Sequence, residues 1–216
     1  MGHLVTYSNM NFPAPLAAMG FLAACAGTLL AVCALLAAAF VGKRKIAQLT
    51  LSIMAFGALA YLVLLLGFSL ISHDHLLAQG QEKYFCEIDC HLAYSVIDIK
   101  QQPNGTNTRY IVTLKTRFDE TTISPSRPRN APLVPSPRTV ELMDSTGIRY
   151  LPAETTGTPL STSLIPNSSY TTELNFNVPA SAKGLRLLIT TTPEWPDRVV
   201  IGDENSWLHK KTYFAL

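Results

Sequence analysis

The chain has 216 residues, of which 48% are hydrophobic, and its 17 basic and 15 acidic side chains give a formal net charge of +2. All 15 acidic residues follow position 72, and three of the basic residues lie together at 43–45, so residues 73–216 carry a net charge of −1. Because no basic face is concentrated there, the composition excludes an electrostatic site for nucleic acid, and we expect no nucleic-acid partner.

Two long apolar runs occupy the first third of the chain. Residues 16–41, "LAAMGFLAACAGTLLAVCALLAAAFV", and residues 46–72 contain no charged side chain. A bilayer core about 30 Å thick needs roughly 20 helical residues, so each run predicts a transmembrane helix. The first run is longer than the apolar stretch of a signal peptide, and residues 1–15 contain no Lys or Arg, so we expect this helix to be retained.

The short loop between the two runs, residues 42–45, carries the basic residues Lys43, Arg44 and Lys45. Loops rich in Lys and Arg remain in the cytoplasm, so this loop predicts a transmembrane hairpin over residues 16–75 with a cytoplasmic tip. The N-terminal tail (1–15) and everything after the hairpin then lie on the periplasmic or extracellular side of a bacterial cytoplasmic membrane.

Small residues form a stripe along the first helix at Gly20, Ala24, Gly27 and Ala31. Such stripes let a second helix approach closely, so they predict a packing interface for the second helix of this chain or for a helix of another protein. Neither run has an ionisable residue at mid-membrane depth, and we therefore expect no proton or ion pathway.

From about Lys83 the pattern changes to the two-residue period of β-strands. "TRYIVTLKTRF" places Tyr110, Val112, Leu114, Thr116 and Phe118 on one face. Further strands are predicted at 91–99, 138–143, 148–151, 170–178, 185–190 and 198–201, with a hairpin turn at "DSTG" (144–147). About seven short strands predict an all-β sandwich over residues 76–216, with a Pro-rich loop at 123–137 that forms a surface arm or is disordered, and a C-terminal tail at 203–216.

Three of these segments carry a resemblance to a known family. "YIVTLKT" from Tyr110, "VELMDSTGIRY" from Val140 and "LIPNSSYTTELNFNVP" from Leu164 resemble successive strands of the immunoglobulin-like domains of bacterial secreted and membrane-anchored proteins. The resemblance covers roughly residues 84–202. It implies a seven-stranded sandwich that binds or scaffolds rather than one that catalyses.

The segment "CEIDCH" concentrates ligand-type side chains at Cys86, Cys90 and His91. A disulfide between the cysteines is the first interpretation, and it requires a turn, because four strand steps would separate the Cα atoms by roughly 13 Å. Two reduced structural cysteines are the second, and haem attachment, which normally uses a shorter C-x-x-C-H spacing, is the third. A copper centre is the fourth, because two helices before a β-domain and a C-x3-C pair resemble cytochrome oxidase subunit II. That family's His and Met positions are Tyr94 and Ile97 here, so its ligand set is incomplete.

No P-loop, dinucleotide fingerprint, H-E-x-x-H or G-x-S-x-G motif occurs in the chain. We therefore predict a protein that is not an enzyme and has no cofactor, with haem or copper at Cys86, Cys90 and His91 as the alternative. The expected function is an accessory subunit that stabilises a membrane complex, such as a photosynthetic reaction centre or a respiratory assembly, through its helices and β-domain. Its expected partners are the membrane and other integral subunits, and a stand-alone extracytoplasmic binding module remains a further alternative.

Overall fold

The computed structural model describes residues 7–86, 90–123, 127–128, 130–192 and 195–216. Within these ranges, two long apolar helices precede a β-sandwich of two five-stranded sheets. In chain order the elements are α1 (Ala14–Phe40), α2 (Arg44–Leu70), β1 (His75–Leu77), β2 (Lys83–Phe85), β3 (Leu92–Asn104), β4 (Asn107–Phe118), β5 (Arg138–Met143), β6 (Arg149–Tyr150), β7 (Glu154–Gly157), β8 (Ser169–Pro179), β9 (Arg186–Thr191) and β10 (Thr212–Ala215).

Both helices are long and apolar enough to cross a bilayer, and most of their surface is exposed. Each begins two residues earlier than the apolar runs predict. Pro13 is the N-cap residue of α1, and Pro15 lies in the first turn, where its missing N–H costs no helical hydrogen bond. Gly42, with φ of +74°, makes the tight turn between the helices.

The covered side chains of each helix include a set that recurs every seven residues. On α1 this set is Ala17, Ala24, Ala31 and Ala38, and on α2 it is Ala47, Met54, Tyr61 and Phe68. A seven-residue repeat is typical of helices that pair with a slight left-handed twist. The hairpin predicted over residues 16–75 therefore forms a helix pair.

The two sheets have the strand orders β2-β3-β4-β8-β7 and β1-β10-β9-β5-β6. Neighbouring strands are antiparallel, except that β1 runs parallel to β10. The longest strand, β3, extends for about 40 Å at roughly 3.3 Å per residue. Its first residue, Leu92, lies near the helices, and its last, Asn104, lies at the far end of the sandwich.

The sandwich core follows the predicted alternation in β4. Val112, Leu114, Thr116 and Phe118 are all completely buried, which confirms the face predicted from the sequence. Opposite them, the second sheet contributes inward-facing side chains, which are Leu77, Val140, Leu142, Leu187, Ile189 and Phe214.

The described residues form ten strands where about seven were predicted. Strands of three or four residues, such as β1 and β2, are too short to show a period in the sequence. The predicted strand at 198–201 is wrong: Asp197–Val199 is a short 3₁₀ turn, in which the Val199 N–H bonds to the Pro196 carbonyl. The predicted C-terminal tail contains β10, which lies between β1 and β9 and is held by backbone hydrogen bonds on both sides.

Part of the predicted Pro-rich loop lies outside the described residues. In the described part, Leu133 exchanges two backbone hydrogen bonds with Leu164, at 2.8 and 2.9 Å. This part of the loop is therefore attached to the sandwich and does not extend away from it as an arm.

Candidate functional site

The N-terminal segment forms the first connection between the helices and the sandwich. Before α1 begins, the Asn9 N–H bonds to the Tyr84 carbonyl at 3.0 Å, and the Tyr84 N–H bonds to the Tyr7 carbonyl at 2.8 Å. The buried Asn9 side chain accepts the Cys86 N–H at its Oδ1 atom, at 2.7 Å. The backbone carbonyl of Asn9 accepts the Glu204 N–H at 2.8 Å. One short segment thus contacts both β2 and the segment that precedes β10. We use the term junction for residues 7–14, 84–86 and 197–206 together with the part of α2 that contacts them.

The C-terminal half of α2 forms the second connection. The Tyr61 hydroxyl donates to the Val199 carbonyl at 2.7 Å, and the Asn11 side-chain amide donates to the Phe68 carbonyl at 2.8 Å. The rings of Phe12 and Phe68 pack edge to face, with 4.7 Å between their centroids. Helix α2 is therefore bound laterally to the junction over two turns.

The segment after α2 forms the third connection. The Ser72 hydroxyl accepts the Lys210 N–H at 2.8 Å, and the Asp74 carboxylate accepts the Lys211 N–H at 3.0 Å. One residue further, His75 begins β1 and pairs with β10. The chain therefore passes from the helix into the sheet without a free linker.

A buried ion pair crosses the sandwich next to the junction. The Lys83 ammonium is completely buried and lies 2.8 and 2.9 Å from the two carboxylate oxygens of Glu204. It also donates to the carbonyls of Ile189 at 2.6 Å and Thr212 at 3.2 Å. Burial lowers the pKa of Lys83, and the carboxylate of Glu204 opposes that effect. Removing one partner of such a pair costs about 3–5 kcal/mol, because the other charge remains buried.

Asp203 immediately precedes Glu204 and has no basic partner at hydrogen-bond distance among the described residues. Its carboxylate accepts the Asn205 N–H at 2.7 Å and the Asn9 amide at 3.4 Å. Burial raises the pKa of Asp203 to about 7, and the neighbouring carboxylates of Glu204 and Asp197 add to this effect.

The cysteines predicted as a site are joined to each other in the structure. Cys86 and Cys90 form a disulfide with their Cα atoms 4.1 Å apart, and the turn predicted between them falls on residues 87–89, which lie outside the described residues. His91 is buried, with its ring stacked on Phe118 and its Nδ1 atom 2.6 Å from the Thr122 hydroxyl oxygen.

This arrangement does not provide the donor set of a haem or copper site. Both routes need the sulfur atoms of Cys86 and Cys90 as thioethers or thiolates, whereas here the two sulfur atoms are bonded to each other. The contacts of His91 with Phe118 and Thr122 are both within the sandwich. A redox centre at these residues would require the disulfide to be reduced.

An apolar groove with a volume of 1020 Å³ lies between the two helices. Its small lining residues are Ala24, Gly27 and Ala31 on α1, together with Gly57 and Ala58 on α2. Val199 and Trp207 of the sandwich lie at one end of it, so the groove is continuous with the junction.

The predicted helix-packing residues divide into two pairs. Ala24 and Ala31 lie on the covered face of α1, whereas Gly20 and Gly27 are exposed. A Cβ atom added to either glycine would have no neighbour within 4 Å, so neither glycine contacts α2. Helix α2 covers one side of the stripe, and the glycines remain exposed on the outer surface of α1.

The basic residues Lys43, Arg44 and Lys45 are exposed at the turn between the helices, at the end of the hairpin remote from the sandwich. This placement separates them from the sandwich by the length of the helices. The cytoplasmic location of the turn stays a prediction.

Sequence reasoning missed Asn9, Lys83, Asp203 and Glu204. The sequence offers no signal for them, because Asn9 and Asp203 are 194 residues apart and Lys83 and Glu204 are 121 residues apart. The burial of each depends on a distant segment.

No protein-family profile matches this sequence, and no curated protein matches it. A solved structure similar to it is the crystal structure of an uncharacterized β-sandwich protein from Clostridium difficile, with 8% sequence identity and a TM-score of 0.37 over 67% of this chain and 95% of that one. The class of this protein is defined by its own architecture, which is a pair of long apolar helices followed by a two-sheet β-sandwich. The two helices suggest a membrane anchor.

Proposed function

We propose that this chain is a non-catalytic structural subunit of a bacterial membrane protein complex. Its helices hold it beside other integral subunits, and its β-sandwich braces them on the extracytoplasmic side of the cytoplasmic membrane. A photosynthetic or respiratory assembly is the host that we would test first.

The observation that carries this proposal is the triple connection of the sandwich to the helix pair. The N-terminal segment, α2 and the segment after α2 each contact the sandwich by hydrogen bonds of 2.7–3.1 Å. A module that searches for ligands on a flexible tether needs none of these contacts. A subunit that fixes the position of its neighbours needs a stiff connection between membrane and head.

The groove between the helices supplies the docking surface of this proposal, and we take its occupant to be a transmembrane helix of another subunit. Small residues on both helices permit close approach of a helix backbone, which is the main source of helix association in lipid. Because Val199 and Trp207 lie at the end of the groove, a helix seated there would also contact the sandwich.

We further propose that the sandwich is immunoglobulin-like in its chain path. The order β7-β8-β4 corresponds to strands D, E and B of that fold, and β6-β5-β9-β10 corresponds to C′, C, F and G. Strand β3 then takes the place of strand A beside B, and β2 is an addition at the edge of that sheet.

Site-specific cross-linking tests the docking surface. A photo-cross-linking residue at Val32, which lines the groove, should yield a covalent product with another membrane protein in intact host membranes. The matched control carries the photo-cross-linking residue at position 30, two positions away. Leu30 is 70% exposed and lies outside the groove. We expect the Leu30 variant to react chiefly with lipid.

A second pair of variants tests whether docking needs the groove to be open. Ala58→Trp fills the groove and should abolish co-purification of the partner after gentle solubilisation, whereas Leu59→Trp should retain it. Migration of the wild-type chain as a monomer in native gels, with only lipid products from Val32, would refute the proposed function.

A further inference from the structure

A cleft with a volume of 380 Å³ lies at the end of the sandwich that is remote from the helices. Ala14 of α1 packs on Tyr84, Cys86 and Ala93, which marks the opposite end as the one next to the membrane. The cleft is lined by Asn104 at the end of β3, about 40 Å along that strand. It is therefore separate from the junction and from the groove between the helices.

Asn175 is buried although its side chain lies on the face of β8 that points away from the core. The residues of β8 that point into the core alternate along the strand and are Thr172, Leu174, Phe176 and Val178. Asn175 therefore belongs to the outer face. It is nevertheless only 6% exposed, because the side chain of Arg109 and the segment before β7 cover it. An amide is thus enclosed in a wall of the cleft.

The amide of Asn175 has a defined orientation. Arg109 donates to its Oδ1 atom from Nε at 3.3 Å and from Nη2 at 3.1 Å, which fixes the Nδ2 atom on the other side of the group. Among the described residues, none accepts a hydrogen bond from Nδ2. The Nδ2 atom is not one of the buried atoms that lack a partner, so it stays accessible from the cleft that Asn175 lines, where a ligand oxygen would accept from it.

The other polar groups of the cleft are balanced in charge. Arg109 pairs with Glu154 at 3.3 Å, and the amides of Asn104 and Asn177 are joined at 3.4 Å. The cleft therefore offers donors and acceptors without a net charge, and Phe176, its one aromatic residue, is completely buried. This lining suits a neutral ligand that both donates and accepts hydrogen bonds.

An extended peptide is a poorer fit. Beyond β7, the open edge of β8 presents the backbone of Asn177 and then Pro179, which has no N–H. Strand addition needs a longer run of paired backbone groups than this edge provides.

We propose that this cleft binds a saccharide, whose hydroxyl oxygens accept from Asn175 Nδ2 and whose hydroxyl groups bond to the amides of Asn104 and Asn177. The binding surface would face the space outside the membrane while the helices hold the chain in place. This proposal is independent of the proposed structural role.

Calorimetric titration of the full-length chain in detergent tests the proposal, with chitotetraose and cellotetraose as two neutral probes. We expect at least one to bind, and we expect Asn177→Ala to weaken binding about tenfold or more, a loss that corresponds to one good hydrogen-bonding contact. Asn177 is exposed, so this variant should fold. Asn175→Asp keeps an oxygen toward Arg109, removes the two Nδ2 donors and should also weaken binding.

Thr171→Ala is the matched control, because Thr171 is exposed on the same face of β8 but lies outside the cleft. Binding should be unchanged in this variant, and thermal unfolding should show that all variants are folded. Equal weakening in Thr171→Ala, or no binding of either tetrasaccharide at millimolar concentration, would overturn the assignment.

Co-sedimentation with purified peptidoglycan identifies the source of the saccharide. Sedimentation that chitotetraose prevents indicates a glycan of the cell wall, and soluble binding without sedimentation indicates a free oligosaccharide. If neither tetrasaccharide prevents sedimentation, the chain recognises the wall peptides, and this result would contradict the proposal.

Discussion

Asp203 and Glu204 are adjacent carboxylates in opposite situations. Glu204 receives the ammonium of Lys83 at 2.8 Å, whereas Asp203 receives only N–H groups from Asn205 and Asn9. Desolvation therefore dominates at Asp203 and raises its pKa to about 7, against the hydrogen bond from the Asn205 N–H and the charge of Lys211, which lower it. The neutral acid is the form that the junction favours.

This difference predicts a dependence of stability on pH. An unfolded aspartate releases its proton near pH 3.9, so between about pH 4 and pH 7 the folded state binds more protons than the unfolded state. The contribution of Asp203 to the free energy of unfolding should therefore fall as pH rises through this window, by at most about 1.4 kcal/mol per pH unit.

Denaturant unfolding of the wild type and Asp203→Asn, followed by the fluorescence of Trp195 and Trp207, measures this contribution. We expect the unfolding free energy of the wild type, relative to that of Asp203→Asn, to be higher near pH 4 and to fall as pH rises toward 7. His209, whose pKa burial lowers, acts in the opposite direction but is present in both proteins and cancels. Parallel curves for the two proteins would contradict the assignment.

At the scale of elements, the short segment before α1 connects the helices to the sandwich. Phe12 contacts Phe68 of α2 through its ring, and its Cβ atom lies where a side chain at Gly202 would be. The backbone supports the same contact, because the Asn11 N–H bonds to the Gly202 carbonyl at 2.9 Å. The segment before α1 therefore depends on a close approach of Phe12 to Gly202 that only glycine permits.

Gly202→Ala should loosen this contact. A Cβ atom at position 202 would lie 2.4 Å from the Cβ of Phe12, so the segment must move. Gly80→Ala is the matched control, because Gly80 has a φ of +83° against +78° for Gly202 but no atom within 4 Å of an added Cβ. We expect Gly202→Ala to lower the free energy of unfolding by about 1–3 kcal/mol more than the control does. Equal losses in the two variants would show that Phe12 does not depend on this contact.

At the scale of the whole molecule, the basic turn and the acidic residues lie at opposite ends of the apolar helix pair. The basic turn at Lys43 is at one end of the helix pair, and the acidic residues that the structure describes lie beyond the other end. A bilayer around the helices would hold the turn and the sandwich on opposite sides.

Cysteine labelling tests this orientation in a Cys25→Ala, Cys33→Ala background, in which Cys86 and Cys90 are bridged. Lys100→Cys, on the sandwich, should react with a membrane-impermeant maleimide in cells whose outer barrier has been opened. Lys43→Cys should react only after the cytoplasmic membrane is permeabilised. The reverse pattern would place the sandwich in the cytoplasm.

Local patterns were enough to predict both helices and the longer strands. Continuous apolar runs predicted α1 and α2, and the two-residue alternation predicted the buried face of β4. These features depend on residues close in the chain, so the sequence contains them directly. The strand predicted at 198–201 failed because Pro196 and the following turn override the β-branched residues there.

The sequence by itself therefore determined the architecture: two apolar helices of bilayer length and an alternating β-domain after them. Only the tertiary structure decided the sites. The burial of Lys83 beside Glu204, of Asp203 beside Asn9 and of Asn175 beneath Arg109 brings together residues 66–194 positions apart. Because desolvation and hydrogen bonding act through space, no local pattern marks these residues until the chain has folded.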